Sequence, residues 1–124
     1  QLLRLIMNNQ EFFDKTMEHL RKQVVQSRGE ASCCLYRGPN GTSCAIGCHI
    51  PDELYEPEME SRGVGNLTTY FPEVGALFNG VNSCLLLEMQ TLHDVWLDRS
   101  VEHMEGRAKE IASAYALTYK DYYE

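Results

Sequence analysis

The sequence predicts an α+β domain: a small β-hairpin, with a third strand as a possible extension, packed among three main helices and a short one. Three observations predict it. Phe13, Met17, Leu20 and Val24 recur at helical spacing near the N-terminus. Two further stripes fill the C-terminal half, Leu85, Met89, Leu92 and Trp96 behind Asn82-Ser83, then Val101, Met104, Ala108, Ile111, Ala112 and Tyr115 behind Ser100. Between the first stripe and the others, residues 31–37 and 42–47 flank Gly38-Pro39-Asn40-Gly41, where proline presets the first turn position and Gly41 suits a left-handed one.

In chain order, Asn8 or Asn9 caps the first helix, Glu11 complements its dipole, and Ser27-Arg28-Gly29 stops it. In the hairpin, Gly38 opposite Thr42 sets Tyr36 against Cys44, Cys34 against Ile46 and Leu35 against Ala45. Period-2 alternation then places Cys34, Tyr36, Cys44 and Ile46 on one face and Cys33, Leu35, Ala45 and Gly47 on the other. Residues 49–65 break into Pro, Gly and acids; Asp52 caps one helical turn there and Pro57 ends it. A short helix follows over 72–78, closed by Asn79-Gly80. The last two helices, linked through Asp98-Arg99-Ser100, form an antiparallel pair. Residues 1–6 are expected to be a leader, non-native or from an extended reading frame, and 7–124 a single domain.

With 124 residues, 44% hydrophobic and 23% charged, the chain has the composition of a globular protein with a core of its own. The net charge of −7 argues against nucleic acid and anionic membrane as partners, since both call for clustered Lys and Arg. No apolar run is long enough to span a bilayer. Five cysteines, two of them vicinal, fit free thiols in a reducing compartment, and the expected location is the cytoplasm.

The segments Leu35-Tyr36-Arg37-Gly38-Pro39-Asn40-Gly41, Cys44-Ala45-Ile46-Gly47-Cys48-His49-Ile50-Pro51-Asp52-Glu53-Leu54-Tyr55 and Pro57-Glu58-Met59-Glu60 resemble a family of small uncharacterised proteins of bacteria and tailed phages. Leu92-His93-Asp94 and Ile111-Ala112-Ser113-Ala114-Tyr115 extend the likeness. Two departures are His49, where the family has an aliphatic residue, and Ser61, where it has a glycine. The resemblance implies a phage or bacterial context, hence a host-cell cytoplasm, but no chemistry.

Four kinds of site can be read from the residues. Cys33, Cys34, Cys44, Cys48 and His49 supply zinc-type ligands, but not the paired spacing of a zinc knuckle, and the hairpin register splits them between faces. A nucleophilic Cys44 or Cys48 needs an oriented histidine. His93 and Asp94 are neighbours about 100° apart on a helix, which disfavours a relay between them, with His93 at the border of the apolar face and Asp94 directed outward. The acids Asp52, Glu53, Glu56, Glu58 and Glu60 offer oxygens to a hard cation without matching a calcium loop; some can instead pair with Arg37 or Arg62. Finally, Arg37, His49 and Tyr55 can border a cleft beside the glycines 47, 63 and 65.

The expected role is therefore a non-enzymatic accessory protein that binds a host protein, in host takeover or counter-defence. A protein sequestering a small nucleotide-type signal is the first alternative, and a cysteine enzyme or zinc module the next. The binding candidates are Arg37, Gly47, His49, Asp52, Glu53, Tyr55, Glu60, His93 and Asp94. No catalytic residue, metal or cofactor is assigned, and homo-oligomerisation stays open.

Overall fold

The computed structural model describes residues 6–29 and 34–121. Helix α1 (Asn9–Gln23) opens with a capping box: the Asn8 side chain accepts from Glu11 N–H at 2.8 Å while Glu11 accepts from Asn8 N–H at 3.0 Å. Phe13, Met17 and Leu20 are buried as the stripe requires, together with Phe12. Val24 leaves the stripe. It ends the helix with φ 57°, a left-handed conformation unusual for a β-branched residue, and is 46% exposed.

The expected α+β architecture is overturned. Among the described residues there is no strand, only isolated antiparallel bridges between Arg28 and Cys34 and between Arg37 and Ser43, and the fold is all-α. The turn itself keeps the anticipated register, since Gly38 N–H donates to Thr42 O at 2.9 Å. Pairing stops there because the backbone donors on both sides find other acceptors. Tyr36 and Arg37 N–H go to the Glu60 carboxylate at 2.8 and 3.0 Å. Beyond Cys44 the chain coils on itself, with Cys48 N–H on Cys44 O and His49 N–H on Ile46 O, both at 3.1 Å, through a 3₁₀ turn at Gly47–His49. The apolar residues of both presumed faces, Tyr36, Cys44, Ala45 and Ile46, are nevertheless buried. Burial was legible; its period was not that of a strand. Cys33 and residues 1–5, for which expectations were stated above, lie outside the described residues.

A further 3₁₀ turn, Pro57–Ser61, buries Met59 and leads into α2 (Val64–Tyr70), a helix that the sequence pattern does not announce. Only Val64 and Leu67 of α2 are buried, too few to announce a helix by periodicity. It packs on α3 (Pro72–Leu77), and Gly75 permits the contact: a Cβ there would lie 2.4 Å from Thr68 O.

Asn82 caps α4 (Ser83–Thr91) by accepting from Cys84 N–H. The helix then widens into a π turn, Leu92–Trp96, in which Leu97 N–H reaches back to Leu92 O, and continues as α5 (Leu97–Arg99). The extra residue moves the core position from Trp96, which is half-buried, to Leu97, which is buried. Ser100 caps α6 (Val101–Ala114) through His103 N–H, and Met104, Ala108, Ile111 and Ala112 face the core. After Ala116, with φ 56°, the tail returns along α1: Gln10 holds both backbone groups of Thr118, and Arg21 reaches Lys120 O. Arg21 also forks onto Glu105 at 2.6 and 2.8 Å, tying α1 to α6. No helix among the described residues is long and apolar enough to cross a membrane.

Candidate ligand- and partner-binding site

The proposed loop is built around Glu60. Besides the two backbone N–H groups, its Oε2 accepts the Tyr55 hydroxyl at 2.6 Å, so the carboxylate serves as the loop's internal acceptor. Burial, then the Glu60 hydrogen bond, pushes the Tyr55 phenol up to about 12. Arg37 lies alongside. Its guanidinium donates to Ile50 O at 2.7 Å, contacts Asp52 Oδ1 at 2.6 Å, and sits 4.7 Å from the centre of the Tyr55 ring. Arg37, Asp52, Tyr55 and Glu60 are thus brought together; only Asp52 makes the pairing with Arg37 that was expected of these acids. An open cleft of about 400 Å³ does pass Arg37, Gly47, Cys48 and Asp52. Tyr55 and His49 do not line it.

His49 is instead part of the interior. Its Nε2 lies 2.7 Å from Thr16 Oγ1 and its ring packs against Phe12 and edge-on to Phe78. Burial first, then the nearby Lys15 and His19 charges, holds its pKa down at about 3, so it stays neutral at physiological pH. Gly47 owes its identity to packing: a Cβ would lie 2.0 Å from Tyr36 O. Neither residue presents a functional group to solvent chemistry.

His93 and Asp94 depart from their helical expectation. His93 is fully buried rather than at a border, and its Nδ1 lies 2.7 Å from Asp94 Oδ1. The π turn makes this contact between sequence neighbours possible. Ser27 N–H donates to His93 Nε2 at 2.9 Å, which fixes the tautomer with the proton on Nδ1, facing Asp94. Gln26 donates to the carbonyls of both residues. The sequence offered no signal for this junction, because Gln26 and Ser27 lie in what reads as a featureless helix stop.

Cys34 joins His93 and Asp94 in a cluster whose donor atoms all lie within 4.8 Å of one another. It is a poor metal centre. One histidine nitrogen accepts a backbone N–H and the other donates to Asp94, so neither offers a lone pair outward. It is also a poor nucleophilic relay: burial, then the Asp94 carboxylate, pushes the Cys34 thiol up to about 11. Burial likewise holds Cys44 at about 11 and raises Cys48 further. The cysteines described are free thiols, and of these Cys84 alone is exposed. No protein-family model, curated protein or solved structure matches the chain.

A groove that the sequence did not announce lies beyond the loop. It has a volume of about 290 Å³, and Leu54, Tyr70, Phe71, Pro72 and Val74 take part in a lining whose exposed surface is mostly polar. Glu53, Glu56 and Glu73 stand around it, all exposed, and none forms an ion pair among the described residues. Tyr70 is 62% exposed. Of the predicted site residues only Glu53 contributes here.

Proposed function

We propose that the protein is a non-enzymatic binding protein whose acidic groove receives a basic segment of a partner protein, in the host-cell cytoplasm that the family resemblance implies. The observation that carries this reading is the combination of three uncommitted carboxylates with an exposed aromatic ring, that of Tyr70. Apolar contact supplies the affinity of such a surface, while complementary charge speeds encounter and selects the partner. The net charge of −7 adds a long-range field of the same sign. An anionic nucleotide is less well served: Arg37 is already engaged by Asp52, Ile50 and Tyr55. The raised thiols and the neutral His49 supply no activated nucleophile. Takeover of a host activity or counter-defence fits a protein that acts by occupying such a segment.

The test is carboxyl-to-amine crosslinking in cells, read by mass spectrometry, of the natural chain and of a Glu53→Lys, Glu56→Lys, Glu73→Lys variant. The expected result is crosslinks from these glutamates of the natural chain to a Lys-rich segment of one partner, and loss of that same partner from co-purification with the charge-reversed variant. A partner seated on another face, or equally well bound by the folded variant, would overturn the reading.

A further inference from the structure

A second cleft, of about 340 Å³, separates two walls. One wall is the segment that carries Arg62 and Gly63, and the other is the face of α4 and the π turn that carries Leu87, Gln90, Thr91 and Asp94. Arg62 is unusual in this chain. Its guanidinium stacks 4.2 Å from the centre of the Tyr70 ring, and its Nε is buried without a hydrogen-bond partner among the described residues. The nearest acid in sequence, Glu60, is already engaged by Tyr36, Arg37 and Tyr55. The closed-off Nε cannot reach a ligand, but the Nη nitrogens also hold no acceptor among the described residues, and they belong to a side chain that lines the cleft; a carboxylate matches such a donor pair.

The opposite wall offers the complementary group. Asp94 Oδ1 accepts from His93 and, at 3.2 Å, from Gln90 Nε2, which orients the carboxylate at the cleft. Leu87, 54% exposed, adds an apolar side chain to the lining. We propose that this cleft binds a small zwitterion of the amino-acid type, its carboxylate on Arg62 and its ammonium on Asp94. A simple anion would meet Asp94 and Glu60 across the same space, and a simple cation would meet Arg62. The size suits a ligand of this class. The site is independent of the acidic groove except for Tyr70, whose ring lies beneath Arg62.

The experiment is an NMR titration of the ¹⁵N-labelled full chain with each proteinogenic amino acid at millimolar concentration. Inorganic phosphate, the N-acetyl derivatives and the amino-acid amides serve as comparisons. Saturable shifts at Gly63, Leu87, Gln90 and Thr91 are expected with at least one free amino acid. Binding should weaken about tenfold or more in Arg62→Gln and on blocking either charged end. The groove variant with reversed glutamates should bind the amino acid as the natural chain does, which separates failure here from failure of the partner reading. Asp94→Asn gives the same loss if it folds; if it does not, the N-acetyl derivative tests that end of the ligand. No saturable binding, undiminished binding in Arg62→Gln or to the N-acetyl derivative, or equal binding of phosphate would overturn the proposal.

Discussion

Gly47 lies so close to Tyr36 that the carbonyl oxygen of Tyr36 occupies the place where any other residue would carry its Cβ, 2.0 Å away. The obstructing atom is backbone on a segment pinned by Glu60 and by the Tyr36 hydroxyl on Arg62 O. Neither side can yield without loss of those bonds. Gly47→Ala is expected to destabilise the fold by about 3 kcal/mol. Urea denaturation checks this, with Gly65→Ala, where a Cβ meets open space, as a control expected to change stability far less.

Glu60 predicts a different signature. Glu60→Gln preserves shape but turns one acceptor into a donor facing N–H or O–H groups. A loss of about 2 kcal/mol is expected. Hydrogen exchange should rise at the Tyr36 and Arg37 amides. The Tyr55 phenol should ionise at lower pH, because its hydrogen bond to the carboxylate is one of the causes of its elevation.

His49 makes stability depend on pH. Its folded pKa, about 3, lies below the ordinary imidazole value of 6.5, so the unfolded chain takes up a proton first. The stabilising contribution is complete above about pH 6.5 and is lost as pH falls toward 3. The slope reaches about 1.4 kcal/mol per pH unit for one proton. Urea titrations between pH 7.5 and about 5, above the range where carboxylates dominate, should show this fall in the natural chain. A folded His49→Gln variant should lack that component.

The thiols predict a reactivity order. In a Cys33→Ser background, Ellman's reagent at neutral pH should modify Cys84 promptly. Cys44 should wait for unfolding, since burial both hides it and keeps it protonated, while Cys48, partly exposed beside an open cleft, should react slowly because its thiol is held protonated. Prompt labelling of Cys44, detected by peptide mass spectrometry, would contradict its place in the core.

The helices were legible where a long stripe stood behind a good cap. Asn8, Asn82 and Ser100 all cap as their chemistry dictates. The hairpin reading fails because its flanks are apolar on both faces, a continuous run that buried coil satisfies as well as a strand does. What decides against strands is Glu60, more than twenty residues away, whose carboxylate captures the Tyr36 and Arg37 amides. The candidate site was read as an acidic, Pro-rich loop bordered by Arg37. The pairing of one of its acids with Arg37 is there in Asp52, but nothing local could show that Glu60 is taken up by backbone amides and the Tyr55 hydroxyl. The acidic groove was hidden because its lining comes partly from α2, whose two buried residues leave no periodic trace.

The π turn at Leu92–Trp96 carries a consequence for how its helix is timed around the axis. One surplus residue advances the side chains between it and the helix end at Arg99 by about 100° relative to an uninterrupted helix. Removing it would swing Leu97 away from the interior and return Trp96 to its place. The irregularity thus works as a phase setter for the end of this helix, up to the extended Ser100 where α6 starts afresh. The same turn carries the buried His93 and the Asp94 that lines the neighbouring cleft.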